Sequence, residues 1–502
     1  MLALLFVVSL PAVTARLYSS DEVQYFSYLR SLYFDRDVSF ENEYRYFYDR
    51  NIAQSGGFHE TFLERETAVG RRVNYGTLGS ALLWSPFYVV ADVWTRATGR
   101  HEANGFTQPY VSAVAYGSAF YGFLAILLSI RAARLLLSAF ARAGDTGARE
   151  LRRDAGAIFA GAGVWLGTPI LFYMYVAPPF SHACSAFAAA LFVNVWLHVR
   201  ETWSARGAFA LGLCAALMAM VREQDAFLAI GPALDFAWTT RSAFINAGGA
   251  PPPPALARGR RSAALPSGRS LGPQALSLAQ VAATGLFGVL GFLIGYAPQL
   301  LAYNALNGYP GPASDVSRKM YWYSPHGLQV LASPEHGLFF WTPLALLALL
   351  GLFFVRERVV AVCLAIMVAS QVYVAGSVES WTVAGAFGQR RFVCITIILV
   401  IGLAALLAAA RARPEGRAEM PPDARPEGRA YLLLALTVVM VWWNVALMAQ
   451  FATRLMDRQR LEPARNAYHA FVTLPLSAPS LVYRYLTDRA SFYESRPKQD
   501  AP

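Results

Sequence analysis

The chain has 502 residues, 56% of them hydrophobic and only 15% charged, with a net charge of +11 and a mean hydropathy of +0.36. Soluble domains carry about 25% charge, so the composition excludes an ordinary soluble fold and implies an integral membrane protein. Nearly all of the positive surplus is arginine, and no basic-aromatic RNA-binding motif accompanies it. It therefore reads as loop charge that orients the chain in a bilayer, not as affinity for nucleic acid.

The first apolar segment covers residues 1–17. Val13-Thr14-Ala15 has the small-residue character of a signal-peptidase site, but no basic segment precedes the apolar run. The expectation is an uncleaved first helix. A polar island follows, with Asp21-Glu22, Asp35-Arg36-Asp37 and Glu41-Asn42-Glu43. Carboxylates are costly beside a bilayer unless they are paired or used. Ser19 or Ser20 can cap a helix whose first turn holds Asp21 and Glu22, where acids favour the helix dipole. Val23, Tyr25, Phe26 and Leu29 then supply the apolar face of that helix.

A spanning helix needs about 20 apolar residues. Beyond 1–17 the candidates are 108–130, 156–176, 182–199, 207–221, 226–240, 276–303, 338–355, 359–376, 392–410 and 430–451. Segment 76–95 is also apolar but contains Pro86 and Asp92. If it spanned, loop 131–155 with its six arginines would lie outside, against the positive-inside rule. With 76–95 placed as a juxtamembrane element, loops 131–155, 200–206, 241–275, 356–358 and 411–429 all face the cytoplasm. The acid-rich loop 18–107 then faces outward. The expected architecture is an all-α polytopic protein of eleven spans. Its membrane domain covers 1–452, 241–275 and 411–429 are flexible inner loops, and 453–502 is a short outer tail. Pro251–Pro254 and the duplicated Arg-Pro-Glu-Gly-Arg-Ala at 413–418 and 425–430 are low-complexity features of those loops. Cys184, Cys214, Cys363 and Cys394 lie in apolar runs without metal-site spacing and read as packing residues.

The remaining polar residues gather on the outer side. Asp21 and Glu22 are candidate catalytic carboxylates, since a partly desolvated carboxylate can serve as a general base. Tyr25, Asp37 and Glu43 are candidate supporting or acceptor-side residues. Arg222, Arg318, Lys319, Arg390 and Arg391 stand at outer membrane edges, where arginine grips phosphate bidentately. The plainer role of such arginines is headgroup contact. His59, His182, His326 and His336 are scattered singly, so no metal site is expected from histidine, although Asp21, Glu22 and Asp37 could hold a divalent cation. Carboxylates facing a cationic phosphate grip suggest transfer from a lipid-phosphate-linked donor.

Four segments carry a family resemblance. They are Asp21-Glu22-x-x-Tyr25, Asn74-Tyr75-Gly76-Thr77-Leu78-Gly79-Ser80, Ser333-Pro334-Glu335-His336-Gly337-Leu338, and Trp381 followed by Ala384-Gly385-Ala386-Phe387-Gly388-Gln389-Arg390-Arg391-Phe392. Together they resemble the bacterial GT-C glycosyltransferases related to dolichyl-phosphate-mannose protein mannosyltransferases and aminoarabinose transferases. The resemblance spans roughly residues 1–450. It implies a GT-C fold, a polyprenyl-phosphate sugar donor, a lipid, glycan or protein acceptor, inverting transfer, and a site on the non-cytoplasmic face of the bacterial inner membrane. The family's base maps onto Asp21, with Glu22 beside it. A lipid or glycan transporter is the main alternative. It would place ionisable residues along the spans, where the sequence shows almost none beyond Asp235.

Overall fold

The computed structural model describes residues 1–52, 57–138, 147–247, 277–383, 385–411 and 426–492. Most of loops 241–275 and 411–429, with the proline run and the first copy of the duplicated hexapeptide, lie outside these residues. Among the described residues the regular secondary structure is helical, apart from two isolated bridges, Glu66 to Arg72 and Met320 to Val378.

In chain order the helices begin with α1 (Leu2–Ser9), α2 (Ser20–Arg30), α3 (Glu41–Asp49), α4 (Gly79–Thr98) and α5 (Gln108–Ser138). Next come α6 (Gly147–Gly167), α7 (Ile170–Tyr175), α8 (His182–Val199), α9 (Ala205–Val221) and α10 (Ile230–Ala247). Then follow α11 (Leu278–Asn307), α12 (Ser314–Arg318), α13 (Gly327–Ala332), α14 (Leu338–Trp341) and α15 (Pro343–Leu350). The last are α16 (Arg358–Ser377), α17 (Thr396–Arg411), α18 (Pro426–Thr453), α19 (Pro463–Tyr468) and α20 (Leu474–Thr487). Six helical stretches are long and apolar enough to cross a membrane: Gln108–Ser138, His182–Val199, Leu278–Asn307, Arg358–Ser377, Arg390–Arg411 and Gly428–Thr453. Shorter apolar helices occupy Leu2–Ala12, Ala205–Val221 and Pro343–Phe354. The chain is a helical membrane protein.

Packing sorts these helices. α17 is buried almost throughout, from Thr396 to Leu407, and forms the centre of the bundle. α11 instead turns Leu286, Val289, Leu293, Ile294 and Leu301 outward, as a helix bathed in hydrocarbon does. It packs on α9 backbone to backbone: a Cβ at Gly291 would strike the Phe209 carbonyl, so only glycine permits the approach. Phe6 of α1 stacks on Phe123 of α5 with ring centroids 4.3 Å apart, anchoring the N-terminal helix.

Among the described residues, the ends of loops 131–155, 200–206 and 356–358 lie at one end of the bundle, where Arg131 reaches Asn194 of α8 at 3.4 Å. Arg200, at the C-terminus of α8, holds the buried Asp235 of α10 at 2.9 Å through Nε and reaches Glu357 at 3.7 Å. Trp196 also donates to Asp235, at 2.9 Å. Arg134 pairs with Asp154 at 3.2 Å. Asp235, the ionisable exception among the apolar segments, is therefore a fastening between helices. Asp92 of α4 is satisfied in the same way, by Tyr110 at 2.6 Å, Arg96 at 2.8 Å and Tyr33 at 3.0 Å. At the opposite end, the C-terminal segment ties back to the chain between α1 and α2. Arg489 donates to the Pro11 carbonyl at 2.8 Å and to Thr14 Oγ1 at 2.9 Å.

Removing one partner of a buried ion pair strands the other charge. Asp235→Ala is expected to lower unfolding free energy by about 3 kcal/mol, measured by chemical unfolding in detergent. An unchanged transition would mean that the Arg200–Asp235 contact does not fasten α8 to α10.

Candidate functional site

The N-termini of α2, α8 and the helical stretch leading into α17 meet the C-terminus of α9 at the end remote from the basic loops. A pocket of about 150 Å³ opens there, lined by Asp21, Gln24, Tyr25, Tyr75, Gly76, Arg222, Arg390 and Arg391.

Helix α2 supplies the acid. Ser19 is its N-cap: Ser19 Oγ accepts from Glu22 N, and Glu22 Oε2 accepts in turn from the amides of Ser19 and Tyr18, at 3.0 and 2.8 Å. This capping box rigidifies the first turn and leaves Asp21 free to point elsewhere. Asp21 Oδ2 meets Arg390 Nη1 at 2.8 Å, with Asp21 39% and Arg390 22% exposed. Gln24 and Tyr25, three and four residues on, fall on the same helical face.

The facing wall is stitched to α2. Gln24 Oε1 accepts from Tyr75 N at 2.7 Å, Asn74 Nδ2 donates to the Gln24 carbonyl at 3.1 Å, and Gly76 N donates to Asn74 Oδ1 at 2.8 Å. A Cβ at Gly76 would lie 3.0 Å from Asn74 Oδ1 and 3.2 Å from the Tyr25 ring, so glycine keeps this wall close.

The cations come from two distant stretches. Arg222 ends α9 in an extended conformation. Its Nη1 contacts His182 Nδ1 at 3.1 Å, and its Nη2 donates to Gln224 Oε1 at 3.2 Å. Arg390 and Arg391 follow Gly388, whose φ of +60° and close approach to Pro169 exclude a side chain. The loop before them is clamped. His336 Nε2 contacts the Ala386 carbonyl at 2.8 Å, Tyr173 donates to the Phe387 carbonyl at 3.2 Å, and Phe387 stacks on Phe172 at 4.7 Å. Arg391 donates through Nη2 to Ser380 O and Oγ, both at 3.1 Å, while its own carbonyl accepts from Gln224 Nε2 at 2.9 Å. Gln224 thus joins both arginine stretches. The Nε atoms of Arg222 and Arg391 are buried with no hydrogen-bond partner among the described residues.

Three guanidinium groups therefore line one small pocket with a single carboxylate. Two further acids lie nearby but are engaged elsewhere. The buried Asp225 accepts from Ser185 at 2.6 Å, and Glu223 accepts from Tyr303 and Tyr296 at 2.7 and 3.2 Å. Uncompensated cations with orphaned donors fit an anion that accepts several hydrogen bonds, above all a phosphate. The volume suits one phosphoryl group, being well below the 300 Å³ or more typical of whole-ligand sites.

The structure divides the polar island. Asp21 and Tyr25 line the pocket, whereas Glu22 is spent on the cap and is absent from its lining. Asp37 accepts from Ser31 Oγ at 2.7 Å and Ser39 N at 2.9 Å, fixing a turn. Glu43 is buried under Arg30 at 3.0 Å, which also pairs with Asp35. Asp21, Glu22 and Asp37 are thus engaged in three separate interactions and do not converge as a cation site. Among the described residues no group of three His, Cys, Asp or Glu is placed to hold a metal ion. Arg318 is exposed and 3.5 Å from Asp315. Lys319 sits over the Tyr75 ring at 5.6 Å, behind the pocket wall. Neither lines the pocket, whereas Arg222, Arg390 and Arg391 do. Gln24, Tyr75 and Gly76 are the lining residues that sequence reasoning did not single out for the site. Helical spacing from Asp21 was the available signal for Gln24.

Burial raises the Glu22 carboxyl from 4.5 to about 8, against the opposing amide bonds of Tyr18 and Ser19. Its folded pKa exceeds the unfolded one, so its contribution to stability is full below 4.5 and is lost as pH rises through 8. Glu22→Gln preserves a capping acceptor and removes that loss. The variant is expected to show a smaller fall in melting temperature than wild type between pH 4.5 and pH 8. Glu43, raised to about 7, titrates in both proteins and cancels in the comparison. Parallel pH profiles would contradict this account of Glu22. No family model, no curated protein and no solved structure matches this chain.

Proposed function

We propose that the chain is a membrane glycosyltransferase of the GT-C type, with eleven spans and α4 at the membrane surface, acting on the non-cytoplasmic face of a bacterial inner membrane. The donor in this reading is a polyprenyl-phosphate sugar. One observation carries it: a lone pocket carboxylate, Asp21, faces three arginines from two other stretches of the chain, two of them with orphaned buried donors. The arrangement at the basic end supports the topology. Loops 200–206 and 356–358, assigned to the same side by their charge, are joined by Arg200 and Glu357, and α8 runs from that end to the pocket.

The chemistry follows from the placement. An acceptor hydroxyl held at Asp21 gives its proton to the carboxylate as its oxygen attacks the anomeric carbon. The bond from that carbon to the phosphate oxygen breaks, and its electron pair stays on the phosphate. The phosphodiester monoanion thereby becomes a dianion. Arg222 and Arg391 are already fixed by His182, Gln224 and Ser380, so they stabilise the added charge without reorganising. Attack from the side opposite the phosphate inverts the configuration. Glu22, Asp37, Glu43, Arg318 and Lys319 have no part in these steps.

The test is transfer from a polyprenyl-phosphate sugar in membranes of cells lacking and then supplied with the chain. Asp21→Asn is expected to lower transfer about 10²- to 10⁴-fold, and Arg391→Ala about 10²- to 10³-fold, both with normal membrane insertion. Glu22→Gln should remain active. Full activity in Asp21→Asn would remove Asp21 as the base.

A further inference from the structure

The three arginines are not equally committed. Arg222 is held by His182 and Gln224, and Arg391 by Ser380. Arg390 has a different partner: its guanidinium meets Asp21 at 2.8 Å and lies over the Phe180 ring at 5.3 Å. One cation therefore serves the acid of the pocket, and the same cation faces the space an anion would fill.

We infer that Asp21 is a resident counter-anion on Arg390, which an arriving phosphate displaces, so that occupation of the phosphate site is what frees the carboxylate. This rests on the phosphate reading of the pocket and adds a regulation to it. The pocket opens beside the Asp21–Arg390 pair, so a phosphate placed in it competes with Asp21 for the same guanidinium. Phosphate offers more acceptor atoms and also meets Arg222 and Arg391, so it outcompetes a single carboxylate. While Arg390 holds Asp21 Oδ2, that oxygen is engaged and is not open to an acceptor hydroxyl. The carboxylate oxygen becomes open to the acceptor once donor phosphate draws Arg390 away. Donor binds before acceptor, and an acceptor arriving first meets a carboxylate occupied by Arg390.

The prediction separates competition from support. If Asp21 competes, removing its charge tightens anion binding; if it merely orients Arg390, removing it leaves binding equal or weaker. The probes are inorganic phosphate and farnesyl phosphate, titrated calorimetrically into the full chain in detergent. Ser19, not Asp21, caps α2, so neutral replacements at 21 leave the cap intact. Asp21→Asn and Asp21→Ser are both expected to bind farnesyl phosphate about tenfold more tightly than wild type, and Asp21→Glu to stay near wild type. A parallel gain for inorganic phosphate assigns the effect to the phosphoryl group, whereas a gain for farnesyl phosphate alone assigns it to the lipid-borne form. Binding that is unchanged or weaker in both neutral variants, while Arg391→Ala weakens it, would overturn the inference and leave the phosphate pocket standing. Absence of binding by wild type and every variant would overturn the pocket reading as well.

Discussion

The contact between Asp21 and Arg390 organises the functional end of this molecule. It joins the first turn of α2 to the start of a late, central helix, and everything around it serves to hold those two ends in register. The Ser19–Glu22 capping box orients α2, and the Gln24–Asn74 bonds draw the facing wall onto it. Gly388, Phe387 and His336 fix the loop that delivers the arginines. Without these supports an exposed ion pair would be worth little. With them, it marks a pre-organised meeting of opposite charges beside two further cations.

The two ends of the bundle use charge differently. At the basic end the buried Asp235 has its cation in Arg200, and the contact fastens helices. At the pocket end the balance is left open, because three arginines face one carboxylate and two buried guanidinium nitrogens lack acceptors. A stable fold does not ordinarily leave such donors unpaired. An arrangement of this kind is complementary to an anion that comes and goes.

Much of this was legible in the sequence, for identifiable reasons. Long apolar runs announce helices, so the candidate spans coincide largely with helices among the described residues, six of them long and apolar enough to cross a membrane, and 76–95 forms α4 despite Pro86. The pairing of early acid with late arginines was visible as types of residue at membrane edges. What the sequence could not supply was the direction of each side chain. Asp21 and Glu22 are neighbours, yet one points into the pocket and the other folds back on its own amides. Glu43 and Asp37 look equally available as letters, but Arg30 and Ser31 claim them. Arg318 and Lys319 sit between helices like Arg222, yet only Arg222 is drawn inward by His182 and Gln224. These outcomes depend on contacts between residues far apart in the chain, which periodicity does not encode.

In the proposed reaction the arginines receive the phosphate of a lipid-linked sugar and Asp21 faces its anomeric carbon. A cryo-electron microscopy structure of the full chain in nanodiscs with a non-transferable polyprenyl-phosphate sugar analogue tests it most directly. The expected result is phosphate density within hydrogen-bonding distance of Arg222 and Arg391, Arg390 turned from Asp21 toward that phosphate, and the sugar lying between phosphate and Asp21. Phosphate density outside this pocket, for example in the apolar groove lined by Phe87, Trp94 and Pro109 between α4 and α5, would contradict it.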